Sequence, residues 1–346
     1  MSRYSEAHRN PKGAGDGRPT ALQIIQDEGL TGKLGGKACM VTGVSSGIGI
    51  ETMRALYATG AHVFGMVRNL EKGQQVVERV KAETRGGEIT LIELDLASLS
   101  SVRKAVEGFV HRNKTLNVLV NNAGIVRAPQ GRTEDCFETH LGTNHLGHFY
   151  LFQLLKPVLL ASSTSEFPSR VVVVSSMGHR CGPVRFDDYN FNKDPYDPWL
   201  AYGQSKTANI HIANEIERRY GPQGLHATSV NPGLVMSAMS ETVSPEDAEK
   251  WSDPAMFAIL KSPEQGAATS VYAAISEEWK HKGGKYLSDC VEQGPTRHPD
   301  NPMHFGDEGY ATWAFDLDAE KRLWRESLRM VGLDCDGDGD EPWTFL

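Results

Sequence analysis

Between Lys37 and Cys290, short β-branched and apolar runs alternate with longer amphipathic stretches, and this alternation limits the possible folds more than any other feature. The runs are ACMVT (38–42), AHVFGMV (61–67), ITLIEL (89–94), LNVLV (116–120), RVVVVS (170–175), LHATSV (225–230) and GKYL (284–287). Their nearly unbroken apolar character predicts burial on both faces, and helices between them require parallel pairing through right-handed crossovers. A Rossmann-like, doubly wound α/β sheet of seven parallel strands follows. No fixed-period repeat or shift of composition divides this region, so it reads as a single domain.

Such a domain takes roughly 250 residues, and the chain has 346. The surplus falls in an N-terminal arm (1–36), an insertion (177–200), a lid (237–262) and a C-terminal extension (291–346) ending in an acidic tail. Residues 1–20, rich in Gly, Pro and charge, read as a loose arm, with a short helix from Ala21 to Gly29 after it. The formal charge of −8 argues against a nucleic-acid partner. Hydrophobic residues at 39% and charged residues at 23% suit a folded core rather than a disordered chain. Five scattered cysteines without C-x-x-C or zinc spacing point to a reducing compartment. The first thirty residues carry no apolar signal core, and LFQLLKPVLLA (151–161) is short and interrupted by Lys156 and Pro157. A soluble, cytoplasmic protein with no membrane partner is the expectation.

The first strand runs into Thr42-Gly43-Val44-Ser45-Ser46-Gly47-Ile48-Gly49 and then a helix. Glycines there permit a tight turn and let backbone N–H groups approach a pyrophosphate at the helix N-terminus. The second strand ends in Val67-Arg68-Asn69, where a carboxylate would repel a 2′-phosphate. A guanidinium at this place favours NADP(H) over NAD(H) as cofactor. Tyr202 and Lys206 lie one helical turn apart, so the ammonium is expected to lower the phenol's pKa and suit it for proton transfer.

The order T-G-x-x-x-G-I-G, Asn121-Asn122-Ala123-Gly124, Tyr202-x-x-x-Lys206 resembles the short-chain dehydrogenase/reductase family across about residues 37–290. Within it the chain is most similar to the retinol-dehydrogenase-like and WW-domain-oxidoreductase-like branch, fungal members included. The resemblance implies a catalytic tetrad of Asn144, Ser176, Tyr202 and Lys206. Tyr202 would be the general acid/base and Ser176 the orienter of the carbonyl. Lys206 would also hold the nicotinamide ribose, and Asn144 would hold a relay water. Ser175 is then a strand-end structural residue. For the cofactor it implies Gly43, Ser45, Ser46, Gly47, Ile48, Gly49 and Arg68, with Asp95 and Leu96 at the adenine. Asn122, Ala123 and Gly124 follow on the ribose side, and Pro232, Gly233, Val235 and Ser237 over the nicotinamide. Ser237 stands where the family usually has Thr.

Together these readings imply an NADP(H)-dependent oxidoreductase interconverting a ketone or aldehyde and an alcohol. Its substrate would be an apolar small molecule, a secondary-metabolite intermediate by analogy with the branch. A catalytically silent dinucleotide-binding regulator, and an epimerase or dehydratase on the same scaffold, are the alternatives. The resemblance also makes a homodimer through helices at 134–161 and 200–220 plausible. Phe186, Tyr189, Phe191, Tyr196 and Trp199 either wall a substrate pocket or pack the insertion onto the core. His179 faces substrate or an exposed loop. His140, His145 and His148 suit packing better than a metal, and no metal is expected. The tail from Asp334 opens like an EF-hand loop, but Phe345 occupies the place of its bidentate Glu.

Overall fold

The computed structural model describes residues 3–236, 254–301, 303, 304 and 306–333. Its sheet contains strands β1 (Ala38–Thr42), β2 (His62–Val67), β3 (Glu88–Glu93), β4 (Val118–Asn121), β5 (Ser169–Val174), β6 (Leu225–Asn231), β7 (Tyr286–Ser288) and β8 (Val291–Glu292). The spatial order is β3-β2-β1-β4-β5-β6-β7-β8, and every pairing is parallel except β7 with β8. Seven strands were expected; the eighth is a two-residue hairpin return at the edge. Its turn residues Asp289 and Cys290 both take positive φ, at 55° and 57°. Such turns twist with the strands, but they normally use Asn or Gly, so the sequence carried no hairpin signal.

The strand order reverses between β1 and β4, which opens a crevice at the carboxyl ends of the strands. One face of the sheet is covered by α4 (Leu99–Arg112), α5 (Gly147–Ser162) and α6 (Pro198–Tyr220). The other is covered by α1 (Ala21–Asp27), α2 (Gly47–Ala58) and α3 (Leu70–Glu83). Beyond β6, short helices α7 (Pro254–Ile259) and α8 (Pro263–Gly266) lead into α9 (Ala268–Ile275), which also packs on that second face. Last comes α10 (Leu317–Met330).

The two extensions are built into these layers. The arm is not loose: Tyr4, Ile24 and Ile25 are buried in the core, and Arg18 is only 4% exposed. Glycine and charge suggested mobility, yet the Arg18 guanidinium is satisfied by Asp16 and by the backbone of a distant segment. On the opposite face, α10 sinks Leu323, Trp324 and Leu328 against α5 and α6, with Trp324 edge-on to Phe149 at 5.1 Å. It therefore covers part of the α5–α6 face that the resemblance assigns to a homodimer. Among the described residues no helix is long and apolar enough to cross a membrane.

Candidate active site

Glycine at two places in the first turn is demanded by close approach. Gly43 has φ +75°, and a Cβ on it would lie 2.9 Å from both the Cα and Cβ of Ala123. A Cβ on Gly49 would stand 2.2 Å from the Gly43 carbonyl oxygen and 2.7 Å from Asn122 Nδ2. The start of α2 is thus pulled tight against the Asn122–Gly124 turn. Ser46 occupies the N-cap in extended conformation without a capping side-chain hydrogen bond, which leaves the helix N-terminus facing the crevice beside Gly47 and Ile48. Ser45 is half-buried next to it. Asn122 donates from Nδ2 to the Thr42 carbonyl at 2.8 Å, while its Oδ1 is buried and unpartnered among the described residues.

Thr42, which opens the glycine motif, and His148, expected only to pack, stitch this turn to the next element. The Thr42 hydroxyl accepts the N–H groups of Asn122 and Ala123, both at 2.9 Å, so its own proton goes to His148 Nε2 at 2.9 Å. His148 then carries its proton on Nδ1 and donates it to the Asn144 carbonyl at 2.9 Å. Burial holds this imidazole neutral, down to about 4, with Lys206 adding to the effect. A sequence shows His spacing, but not that a strand-end threonine will consume one.

Asn144 lies in a π-helical turn, Leu141–Leu146, that precedes α5. Single π turns recur at functional sites, where they displace a side chain from the helical stack. Asn144 Oδ1 accepts the Ile125 N–H at 2.9 Å, and Nδ2 donates to the Ile125 carbonyl and Ser205 Oγ, both at 3.0 Å. A Cβ placed on Gly124 would lie 3.3 Å from Lys206 Nζ and 3.4 Å from Asn144 Oδ1. Three separated parts of the chain thus converge on one point.

Helix α6 begins sharply at Asp197, whose carboxylate accepts the N–H groups of Trp199 and Leu200, with Pro198 in the first turn. That start fixes the rotation that turns Tyr202 toward Ser176. Ser176 caps a short 3₁₀ turn, accepting the Gly178 N–H at 3.0 Å, and it hydrogen-bonds Tyr202. Ser175 points the other way, donating to the Lys206 carbonyl at 2.8 Å. Burial pushes the Tyr202 phenol up to about 12, the Ser176 hydrogen bond opposing and nearby Cys181 adding to the rise. Lys206 is 4% exposed, and burial drives it down to about 8. Its Nζ donates to the Val174 carbonyl at 3.0 Å and lies 5.7 Å from the Tyr202 ring centre. In the protein by itself desolvation governs both groups, so the phenol stands above its ordinary value rather than below it as expected.

Arg68 is exposed immediately after β2, at the outer end of the crevice. Asp95 is half-buried just past β3, its Oδ1 accepting the Ala97 N–H at 2.9 Å, and Leu96 beside it is buried. After β6, Pro232 precedes Gly233, which has φ +85°, and Val235 bridges to Lys261. Ser237, most of the lid and the acidic tail lie outside the described residues.

His179 takes neither of its expected places. It is fully buried, with Nδ1 donating to the Ser176 carbonyl at 2.6 Å and Nε2 accepting the Ala311 N–H at 3.1 Å. Of the five insertion aromatics, Phe186 and Tyr189 face α10, with the Tyr189 hydroxyl on Glu326 at 2.5 Å. Phe191 and Tyr196 pack together, and the Tyr196 hydroxyl donates to the Ala128 carbonyl at 2.9 Å. Trp199 alone stands beside Tyr202, 6.3 Å between ring centres.

This geometry matches what comparison with known proteins finds, because residues 37–248 match the short chain dehydrogenase family. The chain belongs to the short-chain dehydrogenase/reductase family. It is 46% identical over 333 residues to short-chain dehydrogenase/reductase prx1 of Penicillium roqueforti, covering 96% of this chain and 95% of the relative. It is 33% identical over 310 residues to retinol dehydrogenase 13 of Homo sapiens, covering 89% and 88% respectively, in keeping with the expected branch. Among solved structures, a putative uncharacterized protein from Mycobacterium Paratuberculosis is 30% identical with a TM-score of 0.65, covering 93% of this chain and 98% of that one. As a short-chain dehydrogenase/reductase the protein is an oxidoreductase enzyme, and the glycine turn, the uncapped start of α2 and the unpartnered Asn122 Oδ1 fit a nicotinamide dinucleotide.

Proposed function

We propose that the protein is an NADP(H)-dependent reductase of a ketone or aldehyde carried on an apolar small molecule, working also in reverse as an alcohol dehydrogenase. The observation that carries this reading is the meeting of Tyr202 with Ser176, and of Lys206 with Asn144 and Gly124, beside the glycine turn. Gly43, Gly47 and Gly49 admit the pyrophosphate to the start of α2, with Ser45, Ser46 and Ile48 around it. Arg68 pairs with the 2′-phosphate, and Asp95 with Leu96 borders the adenine. Asn122, Ala123 and Gly124 border the ribose, while Pro232, Gly233, Val235 and Ser237 hold the carboxamide. When bound, the reduced nicotinamide supplies the hydride.

The residues of the chain do the rest. Ser176 donates a hydrogen bond to the substrate carbonyl and sets its angle. Tyr202 gives its phenolic proton to the oxygen as negative charge develops there. Raised by burial, the phenol holds its proton at neutral pH and so has one to give in reduction, although the rise itself makes it a weaker acid. Lys206, its charge costly in this dry setting, has reason to meet the ribose hydroxyls, and Asn144 fixes the backbone from which a relay water reprotonates the pair. Trp199, Leu200 and Met303 are exposed apolar side chains near Tyr202 and Cys181, which suits an apolar substrate approach.

The test is consumption of NADPH with a panel of apolar ketones and aldehydes. Wild type turns over and Tyr202→Phe loses at least about a thousandfold in kcat while keeping NADPH affinity, the scale expected for removing general acid catalysis. Equal turnover by the variant, or tight NADPH binding with no turnover of any substrate, overturns the reading.

A further inference from the structure

The arm before α1 sits on the end of α7, the residues after it and α8, and its hydrogen bonds are too specific for a mere cover. Arg18 is buried, and four of its N–H groups are used within the chain. Nε donates to Asp16 Oδ1 at 2.8 Å, Nη1 to the Ile259 carbonyl at 2.9 Å, and Nη2 to the carbonyls of Gly13 (2.9 Å) and Leu260. The Gly13 N–H donates to the Ala258 carbonyl at 2.8 Å, adding a backbone tie to α7. Gln265, on α8, completes the arrangement from the far side. Its Nε2 reaches Asp16 Oδ1 at 3.0 Å and the Arg18 carbonyl at 3.2 Å, and its Oε1 accepts the Gly15 N–H at 2.9 Å.

Both ends of this clamp continue into the loop after β6. Lys261, next to Leu260, donates its N–H to the Leu234 carbonyl at 2.8 Å and accepts the Met236 N–H at 3.0 Å. Its Nζ holds the Pro232 carbonyl at 3.1 Å and pairs with Asp289, which His8 of the arm also approaches at 3.1 Å. Asp289 is a positive-φ turn residue, a conformation kept only when surroundings over-determine it. Gly266, next to Gln265, is packed so closely that a Cβ would lie 2.6 Å from Val235 Cγ2 and 2.8 Å from Ile48 Cγ2. Arm, lid stem, post-β6 loop and glycine turn are therefore one contiguous hydrogen-bonded and packed unit.

We propose that Gly13–Arg18 is a positioning clamp for the dinucleotide and substrate site, with Arg18 holding residues 257–266 so that Val235 and Ile48 keep their places. The proposal rests on the cofactor reading above for what Val235 and Ile48 touch, but not on which substrate is turned over. Arg18 is not a catalytic residue, because it acts through Leu260 and Lys261. A guanidinium suits this work because its planar fork reaches several carbonyls at once, which a lysine cannot do.

The experiment compares Arg18→Ala, Arg18→Lys and Gln265→Ala in the full chain, with Arg9→Ala as a control at an exposed ion pair of the same arm. NADPH affinity is read by fluorescence titration, lid-stem cleavage by limited proteolysis with and without NADPH, and folding by thermal melting. With a turned-over substrate, kcat and KM are also separated. Arg18→Ala is expected to weaken NADPH at least about fivefold, to speed cleavage within 254–266 at least as much, and to raise KM more than it lowers kcat. Gln265→Ala should do the same in smaller degree, Arg18→Lys should recover only part, and Arg9→Ala should match wild type. If the Arg18 and Gln265 variants melt lower yet keep wild-type affinity and cleavage, the arm is only a structural cover and the proposal fails. Should no substrate be turned over by wild type, the reductase reading fails, while affinity and cleavage still decide for or against the clamp. If Arg18→Ala does not fold, Gln265→Ala decides alone.

Discussion

Lys206→Met should make the protein more stable while destroying its activity. An ammonium buried to 4% exposure is disfavoured, and its pKa falls from 10.5 to about 8. That displacement corresponds to about 3 kcal/mol of stability lost at neutral pH, at 1.36 kcal/mol per pH unit. The sign follows from proton counting. Below pH 8 both states hold the proton and the folded state bears the whole cost. Between 8 and 10.5 the unfolded chain binds more protons, so stability rises with pH, and above 10.5 the cost is gone. Methionine fills similar volume without charge, but it forfeits the hydrogen bond to the Val174 carbonyl, worth about 1 kcal/mol. That carbonyl is not orphaned, since Asn209 Nδ2 also donates to it at 3.1 Å. The net gain is about 2 kcal/mol at pH 7. Urea denaturation of the cofactor-free protein at a series of pH values from 7 to 10 measures it, and pH effects common to both chains cancel in the difference. The advantage of Lys206→Met should shrink above pH 8 and fall by more than half before pH 10, while saturating NADPH should reverse the order by favouring the wild type. Equal or lower stability of the variant at pH 7, or a difference that does not change with pH, would refute the reasoning.

Gly49→Ala should weaken NADPH at least about 100-fold, close to 3 kcal/mol, because the new methyl overlaps the Gly43 carbonyl and Asn122; titration within threefold of wild type would count against this packing. Arg68→Ala should weaken NADPH tenfold or more while leaving NADH within about twofold, the scale of a hydrogen bond to a charged group, and parallel loss of both cofactors would remove Arg68 from phosphate recognition. Trp324→Ala should cost about 3–5 kcal/mol in denaturant unfolding, as for other large buried aromatics, and a loss under 1 kcal/mol would mean that α10 is not core. Sedimentation should show wild type without a dimer through the α5–α6 face, whereas truncation before Leu317 should associate or precipitate; a wild-type dimer that blocks labelling of α10 would contradict the covered face.

The sheet was readable because its physics is local. A buried parallel strand must be apolar throughout, and runs such as RVVVVS satisfy that whatever lies elsewhere in the chain. The close approaches at Gly43 and Gly49 were equally legible, since only glycine tolerates them and the spacing of glycines is printed in the sequence. Tyr202 and Lys206 share a helix, so their spacing could also be read. Their proton affinities could not, because they depend on dryness, and dryness is set by every element packed around the site. Charge adjacency suggested a lowered phenol; burial gave a raised one.

What the sequence hid consists of polar contacts between distant segments, and they share one physical logic. Thr42, His148, Arg18 and Gln265 are buried polar groups, and each would be destabilising unless nearly all its donors and acceptors were matched. Matching requires partners fixed to within a few tenths of an ångström, so these residues transmit position from one element to another. Thr42 and His148 tie the glycine turn to Asn144 in this way, and Arg18 and Gln265 tie the arm to the lid stem. Thr42 opens the glycine motif and Gln265 completes a Ser262-x-x-Gln265 capping box, but neither these patterns nor the surroundings of His148 and Arg18 announce the long-range contacts, because those are set by a distant partner's backbone carbonyl, N–H or hydroxyl rather than by a neighbouring residue type. An Arg among glycines and prolines resembles a solvated charge until Ile259 and Leu260, more than 240 positions away, present their carbonyls to it. The segments that compositional reasoning sets aside as decoration are therefore where buried polar matching, and control over the site, were able to accumulate.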